Sequence, residues 1–127
     1  MNINELIAEI EDSETFPPSY VVKSFVDRLL NCEIHSKQDT NLYLECLSEL
    51  IEKLAENHDR VSPEQSKKVV KWASCNWFVD DLEYLDLLLT VLVNIDPEYS
   101  KPFLEEKALS TANFSSKKLI LETLSEI

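Results

Sequence analysis

The chain of 127 residues contains no glycine. Glycine supplies positive-φ turns, phosphate-cradling loops and close backbone approaches to ligands. Its absence removes most of the loop chemistry on which small enzymes rely, and leaves a helix-forming sequence. Apolar residues recur at helical spacing along almost the whole length, and no stretch alternates long enough to read as a strand.

Ile3, Leu6, Ile7 and Ile10 predict a first helix over about Ile3 to Glu11, followed by a linker from Asp12 to Pro17. Pro18 marks the start of a second helix, whose stripe is Val21, Val22, Phe25, Val26, Leu29 and Leu30. Glu33 to Gln38 reads as loop, and Asp39 as the N-cap of a third helix carrying Leu42, Tyr43, Leu47, Leu50, Ile51 and Leu54. Asn57 to Val61 breaks that helix. Ser62-Pro63-Glu64-Gln65 then combines an N-cap serine, a proline at the first helical position and a glutamine able to close a capping box. The fourth helix is expected to reach about Ser74 and to bury Val69, Val70 and either Trp72 or Ala73. The most apolar helix is expected from about Trp77 to Ile95, with its second half at the centre of the fold. Asp96-Pro97 opens another, which Pro102 should kink or restart because proline has no backbone N–H to donate. Ser115 or Asn113 caps the last helix, which carries Leu119, Ile120, Leu124 and Ile127.

The pattern repeats. Leu42-Tyr43-Leu44-Glu45 resembles Glu83-Tyr84-Leu85-Asp86, and Leu47, Leu50, Ile51 and Leu54 align with Leu88, Val91, Leu92 and Ile95. Ser62-Pro63-Glu64-Gln65-Ser66-Lys67 aligns in turn with Asp96-Pro97-Glu98-Tyr99-Ser100-Lys101. A long helix followed by a proline-started one thus occurs twice at a period of about 34–41 residues, the range of helical-hairpin arrays. The expected fold is all-α with about six or seven helices in one domain, residues 1–127. Its architecture is either a short right-handed stack of antiparallel helix pairs or a compact helical bundle.

Twelve basic residues face twenty-four acidic ones, a formal charge of -12. Such a surface repels phosphate, which argues against nucleic-acid or anionic-membrane partners, and it favours a basic protein. The first residues lack a basic region and an apolar run, so a secretory signal is not expected, and no apolar run reaches the roughly 18–20 residues of a membrane span. Cys32, Cys46 and Cys75 are odd in number and widely spaced, as suits a reducing cytoplasm.

The acids are clustered. Glu45, Glu49, Glu52 and Glu56 step along one face of the third helix, with only Lys53 nearby. Their mutual repulsion costs about a few tenths of a kcal/mol per pair, which a purely solvated face could have relieved with lysines. Asp80, Asp81, Glu83 and Asp86 open the matching helix of the second repeat, where acids also complement the helix dipole. If the repeats stack in register, Glu45 lies beside Asp86 and the clusters merge. Tyr43, Trp77 and Tyr84 border this face as candidate aromatic anchors, with core packing the alternative for each.

Chemistry finds little support. Cys32-Glu33-Ile34-His35 has ligand-like spacing but no matching second pair, so no metal or other cofactor is expected. The two histidines, His35 and His58, fall in loops outside any nucleophile or metalloprotease motif. A phosphate-binding loop in its usual form is excluded without glycine. An enzyme is not expected.

The Leu42-to-Ala55 and Glu83-to-Asp96 helices, with their Ser62-Pro63-Glu64 and Asp96-Pro97-Glu98 successors, cover about two-thirds of the chain. In these segments the chain resembles the small, acidic, all-helical immunity proteins of bacterial toxin–immunity systems, some of which adopt HEAT-like repeats. That resemblance implies tight binding to one cognate toxin, often a basic nuclease, by covering its active site or substrate groove. It carries over no binding residues. The other reading is a helical-repeat scaffold or regulatory subunit holding a peptide or helix in an apolar groove.

Overall fold

The computed structural model describes residues 2–13 and 17–127. Among them are seven α-helices and no strand: α1 (Ile3–Glu11), α2 (Ser19–Leu30), α3 (Lys37–Glu56), α4 (Pro63–Cys75), α5 (Leu82–Val93), α6 (Pro97–Ser110) and α7 (Phe114–Ser125). The fold is all-α. Residues 14–16 of the expected 12–17 linker lie outside the described residues.

A chain without glycine must start and stop its helices by other means. Six of the seven helices begin at a polar N-cap whose side chain accepts a backbone N–H: Asn2, Ser36, Ser62, Asp81, Asp96 and Asn113. At α4 the capping box is complete, with Ser62 Oγ accepting from Gln65 N at 3.1 Å and Gln65 Oε1 accepting from Ser62 N at 3.0 Å. At the other ends, Asn31, Asn57, Asn76 and Asn94 occupy the C-cap of α2, α3, α4 and α5. The amides of Asn31, Asn76 and Asn94 donate back to the carbonyls of Asp27, Trp72 and Thr90, satisfying acceptors a glycine-ended helix would turn back to meet.

One helix end needs the left-handed conformation nonetheless. His58 has φ 56°, the one positive φ among the described residues. It follows the α3 C-cap. Its N–H reaches Ala55 O at 3.0 Å and that of Asp59 reaches Leu54 O at 2.9 Å, which is the double bond of a Schellman motif. A side chain with Cβ costs about 1–2 kcal/mol in this region relative to glycine. His58→Gly is therefore expected to stabilise the protein by roughly 1 kcal/mol, offset in part by greater freedom of the unfolded chain, read as a rise in urea midpoint.

The chain divides into two compact units, Met1–Val61 and Ser62–Ile127. In the first, α3 packs on α1 and α2, and α1 on α2, around Leu6, Val22, Val26, Leu29, Leu44, Leu47 and Leu54, all without exposed surface. The Lys23 ammonium, 3.2 Å from the Asp59 carboxylate, ties α2 to the turn after α3. In the second, α5, α6 and α7 contact one another, and α4 packs on α5 and α6. Leu85, Leu88, Leu92, Leu104 and Ile120 form this core. Buried Ser66 Oγ accepts from Asp96 N at 3.1 Å and so fixes α4 against the start of α6.

The repeat is visible in burial. Each matched apolar pair, from Leu47 with Leu88 to Leu54 with Ile95, is buried on both sides, as are Tyr43 with Tyr84 and Ser66 with Ser100. The boundary between the units falls after Val61, so the α3–α4 pair, taken from sequence as one repeat, contributes one helix to each unit.

Four local expectations are corrected. The third helix starts at Lys37 with Ser36 as its cap, because Ser36 Oγ accepts from Asp39 N. Asp39 instead sits in the first turn and accepts from His35 N. The fifth helix starts at Leu82, not near Trp77, and ends at Val93. Asn76 has already ended α4, and the ring of Trp77 packs edge-on against Phe103 of α6 at 5.4 Å, so residues 77–81 serve as the link. Pro102 does not restart the helix: it lies inside α6, which runs on from Pro97 to Ser110, although proline has no N–H to donate to the carbonyl four residues back. In α4 it is Val69 and Ala73 that are fully buried, with Val70 and Trp72 half-buried.

Candidate functional site

The helical period of α3 sends Leu44, Leu47, Leu50 and Leu54 inward, and so sends Glu45, Glu49, Glu52 and Glu56 outward. All four are exposed. None forms an ion pair among the described residues, where Lys23 pairs with Asp59 and Arg28 with Glu9. The stripe predicted from sequence is thus present as one line of carboxylates on one helix.

The second cluster is dispersed by the late start of α5. Asp80 is exposed in the link, and Asp81 is the N-cap, accepting from Tyr84 N at 3.1 Å. Glu83 and Asp86 are exposed on the helix itself. Glu45 and Asp86, expected side by side, belong to different units, so each cluster is taken on its own unit.

The aromatic residues fare differently. Tyr43 and Tyr84 are 1% and 2% exposed and are core residues, so neither is offered to a partner. The Tyr84 hydroxyl donates to the Asn76 carbonyl at 2.6 Å and its ring lies 5.4 Å from that of Phe78, which fixes the α4–α5 link. Trp77 is half-buried between Phe103 and the Lys107 ammonium, 5.6 Å from its ring. Each tyrosine sits two positions before an outward-facing acid, Tyr43 before Glu45 and Tyr84 before Asp86, and that proximity in sequence concealed their inward direction.

Two features had no sequence signal. Glu122 and Glu126, near the end of α7, share a groove with Asp86, Thr90 and Asn94 of α5 and its C-cap, a polar cleft of about 600 Å3. The other is an apolar outer face on α7, where Phe114 is 80% and Leu121 50% exposed, with Leu82 of α5 adjoining. Spacing alone could not separate these leucines from core ones, because Ile120, one residue away, is fully buried.

Burial shifts two titratable groups of the core. Burial, reinforced by the charge of Glu49, pushes the Cys46 thiol up from 9.0 to about 12. Burial likewise raises Tyr84. In the unfolded chain both groups ionise at their ordinary values while the folded protein holds them neutral. Their contribution to stability is thus complete below pH 9 and declines as pH rises from 9 towards 12. The urea midpoint is expected to fall through that window, and Cys46→Ala should remove one proton's share of the slope, about 1.4 kcal/mol per pH unit. An unchanged slope would contradict the burial of the thiol. Among the described residues no group of three or more His, Cys, Asp or Glu is placed to hold a metal ion, and His35 lies instead 3.0 Å from Glu33. No helix there is long and apolar enough to cross a membrane.

Comparison with protein-family models, curated proteins and solved structures gave no match, so residues and geometry alone bear on function.

Proposed function

We propose that this is a binding protein that neutralises a basic toxin or effector domain, of the nuclease kind, through the acidic face of α3, with no chemistry of its own. The observation that carries this is the line of Glu45, Glu49, Glu52 and Glu56, exposed together and without ion pairs among the described residues. Four like charges on successive turns destabilise the helix that bears them, and a basic partner removes that repulsion on binding. Set in a chain of charge -12, the stripe steers a cationic surface and raises encounter rates by roughly 10–10³. Glu83 and Asp86 extend the attraction on the second unit. Anchoring by Tyr43 and Tyr84 is no part of this reading, since both are buried; Trp77 is half-buried. Three free cysteines suit a reducing compartment such as the cytoplasm.

The test is to mix the protein with the basic effector domain encoded by a neighbouring gene. A complex that abolishes effector activity at equimolar ratio is the expected result. Full activity with the inhibitor in excess contradicts the reading.

The exposed face of α7 favours a second reading, a module that docks a helix on an apolar surface. Its binding would be insensitive to salt, whereas the acidic reading requires steep salt dependence.

A further inference from the structure

We draw no further inference here: the strongest candidate, the apolar outer face of α7 around Phe114 and Leu121 with Leu82 of α5 beside it, carries none, because nothing in the structure shows what covers it.

Discussion

Replacing Leu88 by alanine is expected to lower the stability of the second unit by about 2–5 kcal/mol. Leu88 has no exposed surface and lies midway along α5, which contacts α4, α6 and α7. Losing three carbons there, a methine and two methyls, removes their transfer free energy and leaves a cavity that helices held on three sides cannot fill by shifting. A small domain is stabilised by only about 5–15 kcal/mol in total, so this one change removes a large fraction. Leu109, 86% exposed at the end of α6, is the control: its alanine variant should stay within about 0.5 kcal/mol of the parent. Both tryptophans, Trp72 and Trp77, lie in the second unit, so their fluorescence in urea reports on it directly while circular dichroism reports on all seven helices. A Leu88→Ala variant as stable as the Leu109→Ala control would contradict the assignment of the core.

The second large effect concerns binding. Reversing Glu45, Glu49, Glu52 and Glu56 together to lysine replaces an attractive stripe by a repulsive one, and is expected to slow association with a basic effector by roughly 10–10³-fold. Dissociation should change less, because exposed charges act chiefly on encounter. Stability is expected to change little: the side chains are exposed and make no ion pairs among the described residues. An affinity loss carried wholly by faster dissociation would place these side chains inside a desolvated contact rather than along a steering face.

Where hydrophobic period and capping chemistry pointed to the same place, the helix is found there. The limits of α1 and the capping box of α4 follow from residues adjacent in sequence, and local side-chain hydrogen bonds decide them. The start of α5 escaped because Trp77, Phe78 and Val79 continue an apolar run while their partners, Phe103 and Tyr84 among them, are chosen by tertiary packing. The C-cap asparagines were legible in principle, since an asparagine closes each of α2 to α5, but three of them, Asn31, Asn76 and Asn94, gain meaning only once the carbonyl four residues back is seen to accept. The α3 stripe could be read because a helix imposes its own geometry on four glutamates. The joining of Asp86 with Glu122 could not, because it depends on which face of α7 meets α5.

The most direct test of the central claim, that the carboxylates of α3 and not net charge alone draw in a basic partner, compares two variants of equal charge. Glu49→Lys with Glu52→Lys alters the stripe, and Glu105→Lys with Glu106→Lys alters two exposed acids of α6. Association rates with the basic effector are then measured by stopped flow at low and at physiological salt. The α3 pair is predicted to associate about tenfold more slowly than the α6 pair at low salt, with a flatter salt dependence. Equal rates and equal slopes for the two variants would contradict it.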